Sequence, residues 1–356
     1  MLSSLRILEI AALGPVPWCG MLLADMGASI VRIDRPGTDA AHEDLDPTKR
    51  GRSIIVADLK SPEGHAAVLA LVRHADVLME GMRPGAMERL GLSPSVLLEA
   101  NPRLVFARMT GWGQDGPLAP RAGHDINYIA LSGALHAIGP AERPVPPLNL
   151  IGDYGGGGAF LAIGLLAAVL RARADGKGGV VDVAMVDGAT SMMTQMYARL
   201  AEGRWTDERA ANALDGGVPW YNVYKTKDGR FMAVGANEPQ FYALLLEGLG
   251  FQPDEFPSRT ERTNWPTIHE RFATVFATRT RDEWTHHFEG SDACVTPVLS
   301  MTEAPTHAHL RARRSFAQWN GAPTPGAAPR FDATPDAAIA IKSSPVSLTE
   351  AIERWT

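Results

Sequence analysis

Cysteine is nearly absent, with two in 356 residues. Cys19 and Cys294 lie far apart, and neither sits in a CxxC or Cys/His spacing. The sequence therefore offers no disulfide framework and no metal-ligating set, and it fits a reducing compartment. An excess of positive charge is also lacking: the formal net charge is −6. Nothing in the bulk electrostatics calls for nucleic acid or an anionic membrane, and an anionic ligand would need a local basic patch. The N-terminus lacks the basic-then-apolar layout of a signal peptide. The longest apolar stretch, around Ala159 to Leu170, is too short to span a bilayer. The final Trp355-Thr356 is no peroxisomal address. A cytoplasmic protein with no membrane or nucleic-acid partner is expected. No internal repeat is found. The dinucleotide fingerprint GxGxxG is missing too. After the first strand-like segment the chain reads Ala11-Ala12-Leu13-Gly14-Pro15-Val16-Pro17, which disfavours NAD.

What is present is an ordinary globular composition, 45% hydrophobic and 21% charged, in a chain long enough for about two domains. Strand-like segments at Leu5 to Ile10, Ser29 to Ile33, Ser53 to Val56, Val77 to Glu80 and Leu104 to Met109 alternate with helical ones such as Trp18 to Met26 and Pro62 to His74. Such alternation predicts an α/β fold with a mostly parallel, Rossmann-like sheet and crossover helices. Ligands of these sheets lie beyond the carboxyl ends of the strands. That rule points to Asp34-Arg35-Pro36, Ala57-Asp58-Leu59-Lys60 and Glu80-Gly81-Met82-Arg83. Four glycines, Gly155 to Gly158, precede an apolar helix. Val180 to Val183 reads as a strand and Met185 to Leu200 as a helix. Residues 1–200 are expected to form a large domain and 201–219 a linker. A smaller α+β domain over 220–318 contains a hairpin, Tyr221 to Tyr224 with Phe231 to Val234, turned by Lys227-Asp228-Gly229. Residues 319–356 are expected to link back to the large domain.

Several segments resemble the family III CoA-transferase superfamily. They are Leu22-Leu23-Ala24-Asp25-Met26-Gly27-Ala28 into Val31-Arg32-Ile33-Asp34-Arg35-Pro36, Glu80-Gly81-Met82-Arg83-Pro84-Gly85 with Arg89-Leu90-Gly91-Leu92, Thr110-Gly111-Trp112-Gly113-Gln114-Asp115-Gly116-Pro117, and Pro329-Arg330-Phe331. The superfamily contains both CoA-transferases and α-methylacyl-CoA racemases. Gly123-His124-Asp125-Ile126-Asn127-Tyr128, Asn149-Leu150-Ile151-Gly152-Asp153 and Gly235-Ala236-Asn237-Glu238-Pro239 resemble the racemase branch. The resemblance implies an enzyme that inverts the α-carbon of a 2-methylacyl-CoA thioester, with links to fatty acid metabolism. It needs no cofactor beyond the coenzyme A of its substrate. It implies an interlocked homodimer, with each active site between the large domain of one subunit and the small domain of the other.

The chemistry suits these residues. Moving one hydrogen from one face of a carbon to the other needs two acid/bases and stabilisation of the enolate between them. The resemblance assigns His124 and Asp153 to the two faces and Glu238 as the carboxylate partner of His124. It places the CoA thioester among Arg35, Ala57, Asp58, Leu59, Lys60, Glu80, Gly81, Arg83, Arg89, Asp125, Tyr128 and Asn149. Arginines suit the bidentate phosphates of CoA. Met109, Met185, Met192, Met193 and Met196 fit a pliable apolar surface for the acyl chain, but the helical spacing of Met185, Met192 and Met196 equally fits core packing. Asp153 reads both as an acid/base and as a helix N-cap. The glycines after it allow close helix packing or bring backbone N–H groups to the thioester oxygen. Glu238 also reads as a first-turn acid beside Pro239. Two other functions stay open: a CoA-transferase with Asp153 as covalent nucleophile, and a non-catalytic acyl-CoA-binding module.

Overall fold

The computed structural model describes residues 1–37, 46–252, 254, 256–332 and 343–356. They form two compact units. The first comprises Met1–Ala134, Pro147–Thr194 and His307–Thr356, and the second Leu135–Pro146 and Gln195–Thr306. The first boundary thus falls at Thr194, where the sequence suggests 200, and the return begins at His307 rather than 319. The excursion of Leu135–Pro146 has no counterpart in the expected boundaries. Part of the expected C-terminal return, 333–342, lies outside the described residues.

The first unit is built on a parallel sheet. Its strands are β1 (Arg6–Ile10), β2 (Ser29–Asp34), β3 (Arg52–Val56), β4 (Val77–Glu80), β5 (Val105–Thr110) and β6 (Gly179–Ala184). They run in the order β3-β2-β1-β4-β5-β6, and the short strand Ser344–Pro345 adds a seventh member beside β3. Every pairing in this sheet is parallel. The order reverses between β1 and β4, which opens a crevice at their carboxyl ends.

Side chains alternate across the strands, so each face has its own core. Leu5, Ile7, Ile30, Val77 and Met79 face helices α1 (Pro15–Asp25) and α4 (Leu150–Asp175). Leu8, Ile10, Val31, Ile33 and Leu78 face α2 (Pro62–Val72) and the C-terminal helix Leu348–Glu353. Charged groups are buried in this sheet too, Glu9, Arg32 and Arg52 among them. Glu9 has no exposed surface and meets Arg32 at 3.3 Å and Arg52 at 3.0 Å, so the carboxylate is compensated by two guanidinium groups.

Local signals explain the helix starts. Pro62 occupies the first turn of α2, where its missing N–H costs nothing, and the Ser61 hydroxyl accepts from Gly64 N at 3.0 Å. At α1 the chain turns through Gly14 at φ +67°, a conformation that favours glycine, and Pro15 follows.

The apolar stretch around Ala159 to Leu170 turns out to belong to a 26-residue helix, α4, long and apolar enough by length and composition to cross a membrane. Leu150–Ala159 is helical as well, wound with wide turns in which Tyr154 N donates to Asn149 O five residues back. Leu161, Leu165, Val169 and Ala172 bury one face of α4 in the core, as expected of a helix covering a sheet. The helix expected from Met185 to Leu200 is broken at Met193, giving α5 (Met185–Met192) and a separate helix Thr194–Ala201.

The second unit holds an antiparallel sheet of β7 (Tyr221–Lys225), β8 (Phe231–Gly235) and β9 (Val295–Pro297). The β7–β8 hairpin turns where expected, closed by Thr226 N donating to Arg230 O at 2.9 Å, with Gly229 at φ +77°. Helices Pro239–Gly248, Trp265–Phe276 and Arg281–His287 bury Leu245, Phe272, Phe276 and Trp284 with Tyr224 in an aromatic core.

Candidate active site

A cleft of about 180 Å³ opens in the first unit beyond the carboxyl ends of β1, β4 and β5. Its position follows from the reversal of strand order. Gly81, Met82 and Arg83 line it after β4, Met109 to Trp112 at the end of β5, and Arg121 to His124 from the segment that leads into α3 (Asp125–Leu131). Tyr128, Met185, Leu13 and Pro15 also line it, with Pro84 and Ala119.

His124 is exposed at the rim, immediately before α3. Its backbone N–H donates to Asn127 Oδ1 at 3.0 Å, which fixes the entry into the helix. Beneath it the Tyr128 hydroxyl donates to the Gly123 carbonyl, and the Tyr128 ring meets Trp112 edge-on with centroids 4.8 Å apart. Burial raises the Tyr128 hydroxyl pKa above its ordinary value.

Asp153 is half-buried in the wide first turns of α4. Its carboxyl faces Gly14, between the lining residues Leu13 and Pro15; a Cβ at Gly14 would lie 3.3 Å from Oδ2. Asn149 Nδ2 donates to the same oxygen at 3.3 Å. Burial raises the Asp153 pKa, the bond from Asn149 opposes this, the negative charge of Asp125 adds to the rise, and the charge of His124 pulls it back.

The other expected residues divide. Gly81, Arg83, Tyr128, Met109 and Met185 line the cleft. Asp125 does not. It is 6% exposed and accepts the backbone N–H of Asp153 at 2.8 Å, because the first turn of α3 points its carboxylate at α4. Glu80 is fully buried rather than open to ligand. Its Oε2 accepts from Met82 N at 2.6 Å and its Oε1 from Arg108 Nε at 3.2 Å, so it braces the loop that carries Arg83. Leu59 is a core residue beneath α2. Ala57, Asp58 and Lys60 continue β3 into the N-terminus of α2, with Asp58 Oδ1 accepting from Lys60 N at 3.0 Å, and they are not part of the cleft wall. Arg35 and Arg89 are exposed outside it, and Asn149 serves Asp153. Met192 is 42% exposed and sits by Gly155 instead of lining the cleft. Glu238 and Met196 belong to the second unit, with Glu238 directly preceding helix Pro239–Gly248.

Asp153 is not an N-cap, since α4 already starts at Leu150. Nor do the glycines offer a cradle of free N–H groups. A Cβ at Gly156 would lie 2.6 Å from Ala189 N, and one at Gly158 would lie 2.5 Å from the Trp18 ring. They are there for close packing of α4 on α5 and α1. Arg121 and Trp112 line the cleft without having been expected there, whereas Met82 lies in the strand-end segment 80–83 that the sequence points to; Trp112 follows the end of β5 by two residues.

Comparison with known proteins agrees with this architecture. The family model for CoA-transferase family III matches residues 2–345. The chain is 45% identical over 337 residues to mouse alpha-methylacyl-CoA racemase, covering 94% of this chain and 87% of the relative. It is 46% identical over 316 residues to the human protein of the same name, covering 88% and 82%. A crystal structure of a CAIB/BAIF family protein from Brucella suis superposes with a TM-score of 0.82 over 99% of this chain and 98% of that one; at 22% identity this bears on the fold alone. With a parallel sheet, a cleft at its switch point and a family match over nearly its full length, this chain belongs to CoA-transferase family III.

Proposed function

We propose that this chain is an enzyme that inverts the α-carbon of 2-methylacyl-CoA thioesters by moving a proton between His124 and Asp153. The observation that carries the reading is that His124 lines the cleft while the Asp153 carboxyl lies against Gly14, between the lining residues Leu13 and Pro15. The names of the mouse and human relatives support the substrate class.

In one direction the His124 imidazole takes the α-hydrogen, a planar enolate forms, and the protonated Asp153 carboxyl returns a hydrogen to the opposite face. In the other direction the roles exchange. A carboxyl that must serve as acid has to hold its proton near neutral pH, and the upward shift caused by burial favours this. Glu238 is kept in the proposal as the carboxylate that balances imidazolium charge. Arg83 and Arg121 supply positive charge beside the cleft for the CoA phosphates. Met82, Met109 and Met185 give the acyl chain an adaptable apolar wall. The homodimer, the cytoplasmic location and the lack of any cofactor beyond CoA are parts of the same proposal.

The test is incubation of the protein with a 2-methylacyl-CoA in D2O. The expected outcome is deuterium at the α-carbon and convergence of the two epimers to one mixture. Intact α-hydrogen after prolonged incubation would overturn the proposal. A covalent adduct on Asp153, formed with an acceptor acid and trapped by hydroxylamine, would replace it with CoA transfer.

A further inference from the structure

We propose that Asp125 is a positioning residue that fixes Asp153 in place relative to His124; the inference rests on the functional reading above and deepens it. Asp125 follows His124 directly in the chain, and the His124 backbone is tied to Asn127 at 3.0 Å. From that anchored turn the Asp125 carboxylate reaches across to α4 and accepts the backbone N–H of Asp153 at 2.8 Å. One short covalent step and one charge-assisted hydrogen bond therefore connect the two acid/bases.

Two further features make this bond more than incidental packing. The first is Gly152. A Cβ there would lie 2.6 Å from Asp125 Oδ2, so only a glycine lets the carboxylate approach the amide of the next residue. The second is the other carboxylate oxygen. Asp125 is 6% exposed, yet Oδ1 has no hydrogen-bond partner among the described residues. An uncompensated buried oxygen is costly, and a smaller apolar side chain would remove that cost. A benefit is found at Asp153, whose hold on its proton the Asp125 charge strengthens. The other groups that act on this carboxyl are His124 and Tyr128 from the region of α3 and Asn149, which directly precedes α4. Asp125 is thereby assigned both the placement of Asp153 and part of its proton affinity.

Two variants separate these contributions. Asp125→Asn keeps an oxygen for the Asp153 amide and removes the charge. Asp125→Ala removes both. For Asp125→Ala, kcat for epimerisation should fall on the order of 100-fold, the scale of a small misplacement of a catalytic group, with KM for the CoA thioester within about threefold. Asp125→Asn should retain kcat within about tenfold, and the limb of its pH profile that reports Asp153 should move to lower pH. Hydrogen exchange at the Asp153 amide, read by NMR, should be faster in Asp125→Ala than in Asp125→Asn. Wild-type kcat and pH profile in both variants would overturn the assignment, as would a change confined to KM, the mark of a substrate contact. If the unmodified protein exchanges no α-hydrogen, the functional reading falls by itself. The amide measurement still decides the positioning: retained protection in Asp125→Ala would refute it.

Discussion

Gly188 of α5 presses against the backbone of Gly156 in α4: a Cβ at Gly188 would lie 2.0 Å from the Gly156 carbonyl oxygen. The obstacle is backbone, so no side-chain rotation relieves it. Gly188→Ala should therefore destabilise the first unit by about 3 kcal/mol or more, at the upper end of overpacking effects. Urea unfolding measures this directly. An unchanged midpoint would mean that the two helices separate at no cost, and that the glycines serve another purpose.

Glu80 makes a prediction about pH. Burial raises its carboxyl to about 7 from the ordinary 4.5, although the Met82 N–H and Arg108 pull it down. Between those two values the folded chain keeps a proton that the unfolded chain has released. Stability should then fall as pH rises through that window, by roughly 1–3 kcal/mol from this one group. Glu80→Gln cannot titrate, so its unfolding midpoint should change less between pH 5 and pH 7.5 than that of the unmodified protein. Equal changes in both proteins would show that Glu80 is ionised throughout.

The fold and the site were legible in the sequence to different depths. Alternation of largely apolar runs such as Ile7 to Ile10 and Ile30 to Ile33 with helical segments carries the parallel sheet, because a strand covered on both faces is mostly apolar, and the exceptions here, Glu9 and Arg32, pair with each other. The sheet in turn locates the cleft, so Gly81 and Arg83 could be placed at it in advance. Asp125 and Glu80 could not be sorted this way. Both are carboxylates beside cleft residues, and only coordinates reveal that they point inward, at the amides of Asp153 and Met82. The same holds for Leu59, where strand β3 gives way to the buried base of α2. The wide turns of Leu150–Ala159 have no sequence signature here beyond glycines, which are as common in loops. Leu135–Pro146 joins the second unit through contacts distant in sequence, and local composition does not encode these.

Arg83 and Arg121 both line the cleft, one following β4 in the chain and one preceding His124. If they hold the phosphates of CoA, Arg83→Ala and Arg121→Ala should each raise KM for the thioester about tenfold, the worth of one charge-assisted contact, and leave kcat within about threefold. The affinity of the unmodified protein should also fall with added salt more steeply than that of either variant. Steady-state kinetics at two ionic strengths checks both points. A fall in kcat with KM unchanged would instead tie these arginines to the reacting carbon.

The sharpest measurement takes the two pure enantiomers of one 2-methylacyl-CoA separately into D2O with His124→Ala and with Asp153→Asn. A group that takes hydrogen from a single face should be needed for one enantiomer only. Each variant is then expected to lose α-hydrogen exchange from one enantiomer by 10²- to 10⁴-fold, the usual contribution of a general base, and the two variants should spare opposite enantiomers. Undiminished exchange from both enantiomers in either variant, or loss of the same enantiomer in both, would contradict the account.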